Sequence, residues 1–128
     1  MKVVEVAVGV IKRDNTIFIT KRADNLHQGG KWEFPGGKKE RNESISQALG
    51  RELQEEIGIE TISHQPMMVI EHHYGDKQVR LDVHLVDEFD GEPYGKEGQQ
   101  GKWVPINQLD EYEFPAANQQ ILTYIQKL

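Results

Sequence analysis

The sequence predicts an α+β fold in which a mixed β-sheet is packed between helices. Residues 3–11 (Val-Val-Glu-Val-Ala-Val-Gly-Val-Ile) are β-rich and nearly continuously apolar, as in a strand covered on both faces. Residues 44–57 carry an amphipathic helical pattern with marked ends. The order of strands, helix, strands and helix departs from regular βαβ alternation, which points away from a doubly wound sheet.

Each element has its own signal. Lys12 to Asn15 is a polar turn and Thr16 to Thr20 a second strand, so residues 3–21 read as a hairpin. A loop with Gly29 and Gly30 leads to Trp32-Glu33-Phe34 and the tight turn Pro35-Gly36-Gly37. Ser44 and Gln47 make an S-x-x-Q capping pattern at the start of the helix, and Gly58 is placed to end it. Residues 67–72 and 78–86 read as strands; in the second, Val79, Leu81, Val83 and Leu85 alternate with Arg80, Asp82 and His84, predicting one drier face. Trp103-Val104 is a short strand and Ile106 to Leu109 a helical turn. Pro115 suits the first turn of a last helix whose apolar stripe is Ile121, Leu122, Ile125 and Leu128.

Composition narrows the function. The chain of 128 residues suits one domain, 1–128, with ordinary soluble values of 37% hydrophobic and 28% charged residues. No apolar run approaches the ~20 residues of a membrane span, and Glu5 comes too early for a secretory signal. The absence of cysteine excludes disulfides, thiolate zinc sites and cysteine nucleophiles. A cytoplasmic protein is expected. The net charge of −6 argues against stable nucleic-acid binding. It leaves room for a small polyanion bridged by divalent cations.

The strongest signal is a spaced set of residues. Gly37, Glu43, Arg51, Glu52, Leu53, Glu55, Glu56, Gly58 and Ile59 fit G-x5-E-x7-R-E-U-x-E-E-x-G-U, with U aliphatic, over 23 positions without departure. Such a match arises by chance in fewer than roughly one in a million chains of this size. On a helix, Glu52, Glu55 and Glu56 stand at i, i+3 and i+4 and share a face, while Leu49, Leu53 and Ile57 make an adjacent anchoring stripe. Like charges at this spacing repel by a few tenths of a kcal/mol per pair. Hard divalent cations offset that repulsion, and Mg²⁺ prefers oxygen ligands. Arg51 precedes Glu55 by four residues and is placed to pair with it. An acidic helix face is ordinarily just solvated; the glycines, Glu43 and Arg51 at fixed offsets argue against that here.

The pattern resembles the Nudix box, and the chain is identified as similar to Nudix hydrolases of the MutT type. Segments outside the box carry the finer resemblance: Ala7-Val8-Gly9, Phe18-Ile19-Thr20 with Arg22, Glu33-Phe34-Pro35-Gly36-Gly37-Lys38, Gly91-Glu92-Pro93, Gly95-Lys96-Glu97-Gly98-Gln99, Phe114-Pro115 and Ala117-Asn118. The resemblance implies a Nudix-type α/β/α sandwich and Mg²⁺-dependent hydrolysis of a nucleoside triphosphate, with Mn²⁺ a possible substitute. By it, Gly37 (through its carbonyl), Glu52, Glu55, Glu56 and Glu97 hold metal, and Glu52 is the candidate general base. Glu43 and Arg51 complete the catalytic set, Arg22 meets phosphate, and Phe34 and Asn118 line the base pocket. The implied reaction turns 8-oxo-dGTP into 8-oxo-dGMP and pyrophosphate in a monomeric protein that binds neither membrane nor nucleic acid. One departure is Lys77, where MutT proteins place an arginine near the base pocket. ADP-ribose, a dinucleoside polyphosphate or another triphosphate stays open as substrate. A non-catalytic Nudix-fold binding module stays open too, although such modules usually lose box glutamates and this chain keeps them. Without the resemblance, Glu97 reads as a turn residue, Asn118 as a first-turn polar residue, and Trp32, Tyr74 and Trp103 as packing aromatics. His72 and His73 point oppositely in a strand and suggest no zinc site.

Overall fold

The structure, a computed structural model, describes residues 2–23 and 29–128, apart from the Tyr74 side chain. The strands are β1 (Lys2–Arg13), β2 (Thr16–Lys21), β3 (Trp32–Glu33), β4 (Gly36–Lys38), β5 (Glu60–Tyr74), β6 (Lys77–Asp90) and β7 (Gly101–Pro105). The helices are α1 (Ile45–Ile57) and α2 (Gln119–Ile125), with 3₁₀ turns at Ile106–Glu111 and Ala116–Asn118. The strands form one mixed sheet in the order β3-β2-β1-β6-β5, with β4 added on β1 and β7 on β2. Strands β1 and β6 run parallel from Lys2 opposite Lys77 to Ile11 opposite Val86, and the other pairs are antiparallel.

Period-2 alternation in β1 and β2 sorts side chains to two cores. Ala7, Ile11 and Phe18 face α1 and meet Ala48, Leu49, Leu53 and Ile57. Val8, Val10, Ile17 and Ile19 face the other way and meet Leu109, Ile121, Leu122 and Ile125. Layers of helix, sheet and helix result. Each fully buried Leu or Ile contributes about 1.5–3 kcal/mol of transfer free energy, as an upper bound. Trp32 packs edge-on against Tyr112 at 5.4 Å and Trp103 against Phe18 at 5.5 Å. Both tryptophans are packing aromatics, whereas the Tyr74 side chain lies outside the described residues.

Three expectations change. The strands expected at 67–72 and 78–86 extend to a long hairpin, β5 and β6, joined by Gly75-Asp76. Strand β5 is an edge strand with register shifts at Thr61/Ser63, Ser63/His64 and Pro66/Met68, and these irregularities break the alternation that would have revealed its first half. Pro115 does not enter the last α-helix but caps the 3₁₀ turn before it. Leu128 lies beyond α2 and is 54% exposed, so the buried stripe is Ile121, Leu122 and Ile125.

Candidate active site

Helix α1 is fixed at both ends by its own sequence. Ser44 Oγ accepts from the Gln47 N–H at 3.0 Å, and Gln47 Oε1 accepts from the Ser44 N–H at 2.8 Å, the reciprocal pairing that satisfies two orphan donors. Gly58 ends the helix at φ 73°, where a Cβ would also meet the Tyr94 ring at 2.7 Å. Segment 94–99 then covers the open C-terminus. Lys96 N–H and Gln99 Nε2 both donate to the Glu56 carbonyl at 3.1 Å, Tyr94 N–H donates to the Ile57 carbonyl at 3.1 Å, and Lys96 Nζ donates to the Gln54 carbonyl at 3.2 Å. These bonds satisfy carbonyls that a helix end otherwise leaves to water and fix the turn that carries Glu97.

Arg51 organises the acidic side of α1. Its guanidinium grips Glu43 through two nitrogens at 2.7 and 2.9 Å, reaches Glu52 at 2.8 Å and the Lys38 carbonyl at 3.1 Å, and meets Glu55 at 3.3 Å. The expected Arg51–Glu55 pair exists but is the longest of these contacts; Glu43 is the main partner because it matches the planar fork bidentately. Arg51 and the Glu40 N–H together hold the Glu43 carboxyl down at about 2. Glu43 thus ties the loop before α1 to the helix.

Glu52 and Glu56 turn toward strand β4. A Cβ on Gly37 would fall on the Glu52 carboxylate, so only glycine lets the two meet. Glu56 accepts from the Gly36 N–H at 3.1 Å. Burial raises the Glu56 carboxyl to about 8, against the Gly36 hydrogen bond and with help from the charges of Glu33, Glu97 and Glu52. These donors are hard oxygens crowded by their own negative charge, the chemistry that suits a hard divalent cation. As the side chains stand, no three His, Asp or Glu among the described residues converge on one point that would seat an ion. Arg51 holds several of the carboxylates instead.

Beside Gly36 and Gly37 lies a cavity of ≈ 330 Å³, lined among others by Val8, Arg22, Glu33, Phe34, Leu81 and Asn118. Phe34 is buried and stacks on Phe114 at 5.1 Å. Asn118 ends the 3₁₀ turn before α2, and its side chain makes no capping bond. Arg22 pairs with Glu33 at 3.1 Å and also lines a second cavity of ≈ 360 Å³ with Lys21, Glu97 and Gln99. Arg22 therefore stands where the two spaces meet.

The structure thus places Gly37, Glu43, Arg51, Glu52 and Glu56 together, puts Phe34, Asn118 and Arg22 on the adjoining cavity, and leaves Glu55 half-exposed at the edge. Lys77 opens β6 opposite Tyr74 and does not line this cavity, where β6 contributes Leu81. Sequence reasoning gave no role to Glu33, Leu81 or Gln99. Glu33 and Gln99 stand inside the segments 33–38 and 95–99 that carry the resemblance, but the Gln99 contact to α1 spans 43 residues and leaves no periodic trace.

A model of the NUDIX domain matches residues 6–124. The 8-oxo-dGTP diphosphatase of Escherichia coli is 42% identical over the full length of both chains. The CTP pyrophosphohydrolase of the same organism is 34% identical over 92% of this chain and 87% of its own. Among solved structures, a MutT from work on Aliivibrio salmonicida and Vibrio cholerae superimposes with a TM-score of 0.87 at 42% identity, covering 98% of each chain. With box, glycine turn and sandwich in the family's arrangement, this chain belongs to the NUDIX domain family of hydrolases.

Proposed function

We propose that this chain is a Mg²⁺-dependent nucleoside triphosphate pyrophosphohydrolase that converts 8-oxo-dGTP to 8-oxo-dGMP and pyrophosphate. The observation that carries the reading is the cavity that brings Phe34 and Asn118 to Gly36 and Gly37, which in turn meet Glu56 and Glu52 of α1. A base in that cavity puts its phosphate chain beside Glu52, Glu56 and Arg22. Magnesium, or manganese in its place, supplies charge neutralisation along that chain. Gly37, Glu52, Glu55, Glu56 and Glu97 are the residues to hold it, although Arg51 must then release part of its hold on Glu52 and Glu55. Glu52 takes the proton of the attacking water. Arg22 steadies the phosphates, and Glu43 with Arg51 keeps the loop before α1 in place.

Asn118 reads the base. Oxidation at carbon 8 puts a proton on N7, so the Hoogsteen edge becomes O6 acceptor plus N7 donor. An amide offers one donor group and one acceptor and pairs with both, whereas unmodified guanine sets an acceptor against the amide oxygen. The relatives named as 8-oxo-dGTP diphosphatases support this choice. The likeness to a CTP pyrophosphohydrolase favours CTP as the second reading. Retention of every box glutamate supports an enzyme over a binding module. We further place the chain in the cytoplasm as a single-domain monomer without nucleic-acid or membrane partners; no helix among the described residues is long and apolar enough to cross a membrane.

The test is kcat/KM for 8-oxo-dGTP, dGTP, CTP and ADP-ribose with Mg²⁺, in wild type and Asn118→Ala. A high wild-type ratio of 8-oxo-dGTP to dGTP is expected, falling in the variant by an amount worth ~1–3 kcal/mol. A wild-type ratio near one defeats the substrate assignment. An unchanged high ratio in the variant removes Asn118 from base reading.

A further inference from the structure

Away from the acidic cavity, four polar side chains form an unbroken chain on the α1 face of the sheet. Ser46 Oγ, in the first turn of α1, lies 2.8 Å from His64 Nε2 of β5. His64 Nδ1 lies 3.0 Å from His84 Nδ1 of β6, and His84 Nε2 lies 2.9 Å from Asp82 Oδ1. The two rings meet edge-on at 71° with centroids 4.8 Å apart. His84 is only 7% exposed.

Proton positions follow from what each atom can do. A carboxylate accepts, so His84 Nε2 carries hydrogen and donates to Asp82. With both rings neutral, His84 Nδ1 is then an acceptor, His64 Nδ1 donates to it, and His64 Nε2 accepts from the Ser46 hydroxyl. Every atom in the chain is satisfied. One added proton is also accommodated: whichever ring takes it, one Nδ1 still donates to the other, and His64 Nε2–H turns to donate to Ser46 Oγ. A second proton sets N–H against N–H at the Nδ1 pair and leaves two cations in contact.

We propose that Ser46, His64, His84 and Asp82 form a one-proton latch that ties the first turn of α1 to the β5–β6 hairpin and opens when a second proton enters. Among the described residues no further carboxylate hydrogen-bonds to either ring; Glu88 follows Val86 on the same face, opposite Ser63. Helix α1 has no charged residue from Ile45 to Gly50, and β1 presents Ala7 and Gly9 beside Asp82 and His84. Further along the same face, Arg80 lies opposite Glu71 and beside Glu5, and Glu5 pairs with Lys39 at 3.5 Å. Burial and the neighbouring His84 both push His64 down from its ordinary value, as a ring that resists protonation requires. The same helix carries Arg51 and Glu52 about one and a half turns further on, so the four residues act as positioning residues for the acidic face.

Nitrogen-detected NMR of the histidine-labelled full chain tests this between about pH 8 and about pH 5. At the upper end His64 should carry its proton on Nδ1 and His84 on Nε2, and the pair should take up protons in two steps more than ~1 pH unit apart. Reversed tautomers, or two independent transitions at the ordinary histidine value, overturn the latch. The second measurement is the pH profile of kcat for His84→Gln, at Mg²⁺ concentrations that saturate the enzyme at every pH so that Glu56 does not set the acid limb. Glutamine keeps an acceptor for His64 and a donor for Asp82 but cannot be protonated, so the His64–His84 repulsion is gone. Turnover should match the wild type within about twofold near pH 8, with the acid limb displaced ~1 unit downward. Superimposable acid limbs overturn the coupling to α1. If the variant does not fold, the wild-type tautomers decide alone. The NMR arm needs no substrate, so its failure is separable from failure of the substrate reading.

Discussion

The two helices flank one sheet, both on apolar stripes, and differ in what is added to that packing. Helix α1 has 13 residues, a reciprocal cap at its start, a left-handed glycine at its end and a loop bonded over its last carbonyls. Helix α2 has seven residues, follows a 3₁₀ turn, and has no side-chain cap. It stays in place through Ile121, Leu122 and Ile125, which are buried against the sheet. Apolar burial is non-directional, whereas hydrogen bonds fix both distance and angle. The helix whose carboxylates need defined positions therefore has directional bonds at both ends, and the helix that closes the core is held chiefly by packing, with one side-chain bond from Gln126 Nε2 to the Ile106 carbonyl at 3.1 Å.

This contrast is open to breakage from both sides. The largest effect is expected from Glu56→Gln, which should lower kcat by ~10²–10³. Its metal-free unfolding midpoint should not fall, because the variant removes a carboxyl that burial disfavours in its charged form. Near-normal turnover, or a protein that no longer folds, would contradict this. Ile125→Ala on the opposite face should do the reverse. It should cost about 2–4 kcal/mol of stability in urea unfolding, with kcat of the remaining folded protein nearly unchanged. A large kcat loss in the folded fraction would show that α2 also positions the chemistry.

A pH series sharpens the comparison. The folded Glu56 carboxyl titrates at about 8, above its ordinary value, so the metal-free fold binds a proton that the unfolded chain releases. That stabilisation is complete below the ordinary carboxyl range and is lost as pH rises through about 8. A cation bound by the charged form acts oppositely. The apparent Mg²⁺ affinity should fall about tenfold for each unit of pH below 8, and the rise in thermal midpoint given by Mg²⁺ should grow between about pH 6 and about pH 9. A pH-independent Mg²⁺ shift in calorimetry would take Glu56 out of metal binding. The smallest effect is expected from Ser44→Ala, about 1 kcal/mol of stability, with full recovery in Ser44→Asp. No loss in Ser44→Ala would mean that segment 94–99 holds α1 without its cap.

What could be read from the sequence was local. Ser44, Gln47 and Gly58 bracket α1 within a few residues of chain, and 45–57 lies inside the expected 44–57. The mixed sheet between helices and the Nudix box were equally legible, because strand period, helix period and glycine offsets act over short spans. The first half of β5 was not, since its bulges and Pro66 destroy the period-2 signal. His84 was expected on the wetter face of its strand, yet α1 covers that face and His64 with Asp82 satisfies the ring. Periodicity shows which residues share a face but not what lies over it. Contacts such as Gln99 to Glu56 or Ser46 to His64 depend on the sheet order, which brings distant segments together only after folding.

The irregular edge strand has a consequence of its own. Strand β5 ends the sheet, so among the described residues the side of its backbone away from β6 has no strand partner, and it runs from Glu60 to Tyr74 with Ile62 and Val69 exposed along it. A flat ladder of that length would template the addition of a foreign strand. Pro66 has no N–H to offer, and the three register shifts interrupt the ladder over the first half of the strand, where such bulges bend it. The bends that hide half of β5 from sequence inspection thus also protect the protein from aggregating along its own rim.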